Sequence, residues 1–357
     1  MINGAYYHTI YLIILSFLSI FCINKYRFSI RKSRGSINAL IYAIFLTVFI
    51  GFRPYMDVLT DTIGISQYYK SNMGYVHDFS MDVENKLYDN MLLYFASLNL
   101  DFSIFLVAMS GIYFICRYIA LKKMFPNHVW AAYLLFLASF ISYTSSVNGF
   151  KAGAAASLFC IAIAYRKNII LSLCFLLLSY GMHHSMIVCV TAFVCVSFYK
   201  NTKIYLIAWF SSFILAVLHI KYFQFLFGSF TDQKGADYLL TEHGAWMTGM
   251  RYDFVLYSFM PIILALYILF KKKIIIDENY KFVLNLYMVT NSIWLLCMYA
   301  NYTNRIAALS WFMYSIVIGY PFLSDGNIYQ FVNKNRTFSM VMALHLGFTL
   351  FMSFVYY

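Results

Sequence analysis

Four cations and a histidine pair interrupt or border apolar runs in this chain: Arg53, Lys151, Arg251 and Arg305, with His183 and His184 side by side. Arginine forks match phosphate oxygens in pairs, and lysine supplies a compact point charge. A pyrophosphate needs two or three such groups. An imidazole, with an ordinary pKa of about 6.5, suits a general base or hydrogen-bond donor, and that is the role expected of His184, with His183 beside it. Asp61 and Asp57 compete for the base role. Pro54 suits the first position of a helix, on which these two carboxylates would lie one turn apart on one face. The plainer readings are headgroup anchoring or a loop salt bridge for each cation, a polar turn tip for the histidines and a solvated face for Asp57. No His-Glu-x-x-His is present, and no carboxylate adjoins the histidines at helical spacing, so neither a metal nor another cofactor is expected.

These groups need elements to hold them, and the stretch from Asn148 to Ser185 is central. Two apolar runs share the basic turn Arg166-Lys167, with Lys151 at the far end of one and His183-His184 at the far end of the other. As α-helices they rise about 22 Å from Lys151 to Arg166 and about 25 Å from Lys167 to His184. A bilayer core is about 30 Å thick. With the basic turn at one surface, Lys151 and the histidines end below the other, and ionisable groups at depth face protein or a watery cavity. The run Gly153-Ala-Ala-Ala-Ser157 suits close helix approach.

The chain is 62% apolar and 11% charged, with mean hydropathy +0.70, which indicates an all-α polytopic membrane protein. The absence of period-2 alternation argues against a barrel. Hydropathy predicts about twelve crossings, near residues 5–23, 37–52, 102–120, 129–146, 152–165, 168–182, 185–199, 204–220, 254–270, 282–299, 306–323 and 338–356. The first reads as a retained helix, not a cleaved signal. Most of the 26 basic residues fall on one set of connections, Arg117, Lys122, Lys123, Arg166 and Lys167 among them. The positive-inside rule makes that set cytoplasmic, so the net charge of +12 reflects topology and not nucleic acid. The seven cysteines lie in apolar runs with no Cys-x-x-Cys and read as buried thiols. A single membrane domain carries two longer outward loops, 53–101 and 221–253, the usual place for function. The first includes an interfacial or re-entrant helix near 87–100. The second holds Asp232, Lys234, Asp237, Glu242, His243 and Trp246. No internal repeat and no pair of broken helices points to a transporter. Tyr68, Tyr69 and Tyr302 offer aromatic faces to sugars.

Phe52-Arg53, then Asp61-Thr62, then Tyr68 resembles the first signature segment of EpsG-like, Wzy-type polysaccharide polymerases. Asn148 to Ser185 resembles the next: a basic residue, an Ala-rich helix, a basic turn and a helix ending in histidine and serine. Arg305 before an aromatic-rich helix resembles the C-terminal signature. The likeness covers roughly residues 40–325. Lys151 stands where arginine is usual, Leu59-Thr60 replaces the glycine before Asp61, and Met186 follows Ser185. The resemblance implies a metal-independent, GT-C-like glycosyltransferase of the bacterial cytoplasmic membrane. It would work on the periplasmic face and join undecaprenyl-pyrophosphate-linked oligosaccharide units into O-antigen, capsule or exopolysaccharide, with inversion expected at the anomeric carbon. It implies catalytic roles for Arg53, Arg305 and His184 or Asp61. Pyrophosphate and sugar binding would fall to Lys151, Arg251, His183, Asp57, Tyr68 and Tyr302. The implied partners are the lipid-linked donor and acceptor, the bilayer and a chain-length regulator. Rival readings are an O-antigen ligase, a membrane acyltransferase and a flippase for the lipid-linked unit.

Overall fold

Asparagine and aspartate mark several helix starts, because their side chains accept the N–H groups that a first turn leaves without partners. Asp101 accepts from Ser103 N at 2.8 Å, Asn168 from Leu171 N at 3.1 Å, Asn201 from Lys203 N at 3.1 Å and Asp277 from Asn279 N at 3.0 Å. The computed structural model describes residues 3–28, 35–54, 60–228, 249–268, 277–324 and 334–356. Helix is the only regular structure among them. In order come α1 (Ala5–Phe28), α2 (Ser36–Gly51), α3 (Thr60–Ser71), α4 (Lys86–Ser97), α5 (Phe102–Met124), α6 (Val129–Leu137), α7 (Ser142–Val147), α8 (Phe150–Ala164) and α9 (Ile169–Met182). Then follow α10 (Ile187–Phe198), α11 (Thr202–Val217), α12 (Tyr222–Gly228), α13 (Tyr252–Leu266), α14 (Glu278–Leu296), α15 (Thr303–Trp311), α16 (Tyr314–Leu323) and α17 (Lys334–Phe351). Four stretches are long and apolar enough to cross a membrane: Ala5–Lys25, Phe102–Met124, Thr303–Leu323 and Lys334–Val355. Six shorter apolar helices accompany them. The chain forms two compact units, one built on Met1–Ile187 with the last helix and the other on Val188–Pro321.

In the first unit, α2, α5, α8 and α9 pack side by side. Ser157 Oγ donates to Tyr113 O at 2.8 Å, which sets residue 157 of α8 level with residue 113 of α5. Counted back at 1.5 Å per residue, α8 starts about 6 Å short of the first turn of α5. Ser179 Oγ donates to Ala155 O at 2.7 Å, so α9 ends at nearly the depth where α8 begins. Both helices therefore stop short of the first turn of α5 and leave a recess beside it. At the opposite end lie Lys122 and Lys123 of α5 and the turn Arg166-Lys167, with Lys123 Nζ 5.4 Å from the Tyr165 ring centroid. Arg117, expected among the basic connections, is instead 1% exposed inside α5. Its guanidinium donates to Cys160 Sγ at 2.8 Å and lies 4.6 Å from the Phe136 ring centroid.

The crossing expected over 129–146 is broken in two. Helix α6 stops at Leu137 and α7 starts at Ser142, beside Tyr113 in the middle of α5. A break at that depth strands backbone carbonyls away from water, and it persists only where neighbours supply donors. Tyr11 OH donates to Leu137 O at 2.7 Å, Thr349 Oγ1 to Ala138 O at 2.7 Å and Tyr113 OH to Ser142 O at 3.0 Å. His345 Nε2 stands 3.3 Å from Ser139 Oγ. Tyr11, Tyr113, and His345 with Thr349 come from α1, α5 and α17 respectively.

The second unit is centred on Asn291 of α14, which is fully buried with every side-chain hydrogen-bonding group in use. Its Nδ2 donates to Ser310 Oγ at 2.9 Å and Ser258 Oγ at 3.2 Å, and its Oδ1 accepts from Trp209 Nε1 at 2.7 Å. Trp311 Nε1 also donates to Ser258 Oγ, at 2.7 Å. One amide thus ties together α11, α13, α14 and α15. Asn291→Ala leaves several buried polar groups without partners. It is expected to cost about 2 kcal/mol, seen as a lower thermal unfolding midpoint in detergent. An unchanged midpoint would show that the network is dispensable.

Candidate functional site

The segment between α2 and α5 folds down over the recess. Tyr69 of α3 donates to Leu100 O at 2.9 Å and packs its ring on Phe102 and Phe105 of α5. Asn90 of α4 holds the preceding loop, donating to Ser80 O at 2.7 Å and accepting from Ser80 N at 2.8 Å. Helix α4 is the amphipathic stretch anticipated near 87–100, and its 12 residues span about 18 Å, too short to cross a bilayer. It lies against α9. A Cβ on Gly181 of α9 would stand 3.2 Å from Leu87 Cβ, so a glycine there permits the close approach.

The cations and histidines of this unit meet where α4 covers α8 and α9. Arg53 follows α2 and is 3% exposed. Its guanidinium donates to Ile50 O at 3.0 Å and Val147 O at 2.7 Å, carbonyls at the C-terminal ends of α2 and α7. Positive charge there also offsets the negative ends of both helix dipoles. Arg53 Cζ lies 5.7 Å from the Phe150 ring centroid, and the Phe150 ring in turn packs at a tilt against Tyr88 of α4, centroids 6.2 Å apart. Lys151, half-buried in the first turn of α8, sets its Nζ 5.2 Å from the Tyr88 ring centroid. No carboxylate among the described residues lies within ion-pair distance of Lys151, so its charge is available to an anion. The Tyr88 hydroxyl is buried with no hydrogen-bond partner, and burial, then the nearby Asp89 carboxylate, push its pKa up.

The position of Lys151 follows from the α7–α8 packing. A Cβ on Gly153 would stand 2.2 Å from Ser145 O and 3.0 Å from Ser145 C. Only glycine fits, and the helices touch backbone to backbone.

The histidines sit just past α9. His184 Nδ1 is 2.9 Å from Glu84 Oε1. The His184 backbone N–H donates to Asn85 Oδ1 at 3.0 Å. The two imidazoles are stacked, with centroids 5.5 Å apart and planes 9° from parallel. His183 Nδ1 accepts from Ser185 N at 3.2 Å and caps the short 3-10 turn His184–Met186.

Other candidates fall elsewhere. Asp61 is in the first turn of α3, and Asp57 lies outside the described residues. Pro54 is non-helical, the described helix runs over Thr60–Ser71, and residues 55–59, on which the expected helix start falls, lie outside the described residues. Tyr68 is exposed on α3. The acidic residues expected in the second loop, with Lys234, His243 and Trp246, lie outside the described residues. Arg251, Tyr302 and Arg305 belong to the second unit. Arg251 is paired with Asp253, Nε to Oδ1 at 2.9 Å, and its Cζ lies 3.6 Å from the Phe254 ring centroid. That is the loop salt bridge, and its carboxylate offsets the charge a phosphate would need. Arg305 is exposed on α15, with Cζ 4.7 Å from the ring centroid of Tyr302. Tyr302 has φ of 50°, an uncommon conformation for an aromatic residue, and receives support from Asn301 Oδ1 at 3.1 Å from its N–H.

Three contributors had not been singled out from the sequence: Glu84, Asn85 and Tyr88, all at the start of α4. One signal was present. Asn85 stands at the helix N-cap, where asparagine usually accepts from its own first turn, yet its side chain makes no such bond and serves His184 instead. Among the described residues, no group of three His, Cys, Asp or Glu is placed to hold a metal.

A model described as the EpsG family matches residues 36–357. No curated protein and no solved structure matches the chain.

Proposed function

Because the chain belongs to the EpsG family, we propose that this polysaccharide-biosynthesis membrane protein is a glycosyltransferase that polymerises undecaprenyl-pyrophosphate-linked oligosaccharide units on the periplasmic face of the bacterial inner membrane. One observation carries the reading. Segments far apart in sequence, at Arg53, Lys151 and His183-His184, meet under one surface helix in the recess where α8 and α9 stop short. A cation available to an anion and a partly exposed imidazole then share one polar mouth beside apolar helices, which suits a substrate with a pyrophosphate, a sugar and a long hydrocarbon tail.

In the reaction we infer, an acceptor sugar hydroxyl attacks the anomeric carbon of the donor. The new C–O bond forms as the bond from that carbon to the pyrophosphate oxygen breaks, and the electron pair leaves with the pyrophosphate. Charge grows on the leaving oxygen, so a fixed cation stabilises the transition state more than the ground state. Lys151 is assigned that role. Arg53 holds the ends of α2 and α7 in place, and Arg251 is a structural ion pair. His184 takes the proton of the acceptor hydroxyl.

Deleting the gene in a host that makes the matching unit, and analysing the glycan by gel, tests this reading. The expected result is a ladder reduced to single-unit glycan and restored by the wild-type gene. An unchanged ladder would overturn it. Loss of the single-unit band as well would favour a ligase or a flippase.

A further inference from the structure

We propose that Tyr88 is a positioning residue for Lys151: the face of its ring holds the ammonium at the recess without neutralising it, so that the whole charge meets the leaving pyrophosphate. The proposal rests on the reading of Lys151 as the leaving-group cation and adds a residue to it.

The lysine needs a restraint. Its flexible stem lets the ammonium sweep a wide volume, and a fixed cation serves a transition state better than a wandering one. Its place in the first turn of α8 supplies none, because that end of a helix dipole disfavours positive charge and the turn carries no acidic residue. No ion pair among the described residues holds it. What meets it is an aromatic face: Lys151 Nζ lies over the Tyr88 ring, 5.2 Å from its centroid. A cation that close to a ring face is attracted by the ring quadrupole. A carboxylate in the same place would also hold the ammonium, but would cancel the charge that a phosphate needs.

The ring is itself fixed. Tyr88 is 3% exposed. Its ring meets that of Phe105 of α5 edge to face, centroids 5.7 Å apart, and lies at a tilt to that of Phe150, the residue before Lys151. Phe105 in turn packs on Tyr69 of α3, Phe95 of α4 and Phe102 of α5. Helices α3, α4, α5 and α8 thus clamp one ring. The Tyr88 hydroxyl makes no hydrogen bond, and burial, with the Asp89 carboxylate second, keeps it protonated. The lysine therefore meets a neutral ring. Lys151 is only half-buried, so a substrate can reach it.

The test measures kcat/KM for polymerisation of purified lipid-linked units. It uses Tyr88→Phe, Tyr88→Leu and the intact protein carrying trifluorophenylalanine at position 88, each with Lys151 present and with Lys151→Met. Fluorine withdraws electron density from the ring face and leaves its shape nearly unchanged. Tyr88→Phe, which keeps the face, is expected to stay within about twofold of wild type. The fluorinated ring and Tyr88→Leu are expected to lower kcat/KM about tenfold, the fluorinated protein with an unchanged thermal midpoint. In Lys151→Met the fluorine should have no effect. Equal rates for Tyr88→Phe and the fluorinated ring, or the same fluorine effect in Lys151→Met, would overturn the proposal. So would a fall in Tyr88→Phe as deep as in Tyr88→Leu, which would make the hydroxyl the working group. Full activity in Lys151→Met would overturn the leaving-group assignment and this proposal together, whereas a gene deletion with an intact ladder would overturn the polymerase reading itself. Carbon NMR of methylated lysines reads the contact apart from activity. The Lys151 signal should be shifted by the ring in wild type and Tyr88→Phe, and the shift should be lost in Tyr88→Leu. An unshifted signal in wild type would remove the contact and the proposal with it.

Discussion

Lys151→Ala is expected to leave single repeat units in place of polymer while the protein stays folded and at normal abundance. Lys151 is half-buried, touches the Tyr88 ring and makes no ion pair among the described residues, so its removal strands no partner there. Its proposed work is confined to the charge that develops on the leaving pyrophosphate. Losing one well-placed donor of that kind costs about 100- to 1,000-fold in rate. Lys151→Arg keeps the charge and should retain measurable chain extension, whereas Lys151→Met, with similar bulk and no charge, should not. Arg53→Ala is the contrasting case. Its guanidinium serves two helix-end carbonyls in a buried setting, so the substitution is expected to cost about 3 kcal/mol of stability. Abundance and thermal midpoint should fall together with polymer. Polymer of normal length from Lys151→Ala would exclude the lysine from the chemistry. A normal thermal midpoint in Arg53→Ala would contradict the helix-end role drawn for the arginine.

Gly153→Ala adds one methyl group and is expected to be among the most disruptive single changes in the first unit. The new carbon would sit 2.2 Å from a backbone oxygen, with the Tyr113 ring at 3.1 Å as a further neighbour. A side chain can rotate away from such an overlap, but the Ser145 carbonyl cannot, so α7 and α8 must separate. Overpacking of that kind costs about 3 kcal/mol or more. The displacement also moves Val147, which accepts from Arg53, and Lys151, two residues before the glycine. The expected result is a sharp drop in thermal midpoint together with loss of polymer. Ala154→Gly, one position along, should change the midpoint by about 1 kcal/mol or less and serves as the control. Wild-type stability in Gly153→Ala would mean that α7 and α8 do not meet backbone to backbone.

Much of this was legible before any coordinates. The lengths of the runs flanking Arg166-Lys167 already set Lys151 and His184 at the same end of two short helices, and the small residues from Gly153 to Ser157 already implied close helices. What escaped was tertiary. Residues 129 to 147 contain neither proline nor glycine, so no strong helix breaker signals the break after Leu137. The donors that permit it lie more than a hundred residues away in the chain, on α1 and α17. Hydropathy also puts Arg117 with the nearby lysines, because a window cannot tell a helix end from a buried guanidinium resting on Phe136. Glu84 stands in an acidic loop where solvation is the natural reading of any one carboxylate. Its closeness to His184 joins positions one hundred apart in the chain.

The broken helix has a consequence for biosynthesis. Its stranded carbonyls are satisfied by residues far apart in the chain, Leu137 O by Tyr11 and Ala138 O by Thr349. As the polypeptide leaves the ribosome, Ala138 O awaits a donor that has not yet been synthesised. The whole second unit is translated in the interval. The first unit, although it begins first, is therefore the last to be completed.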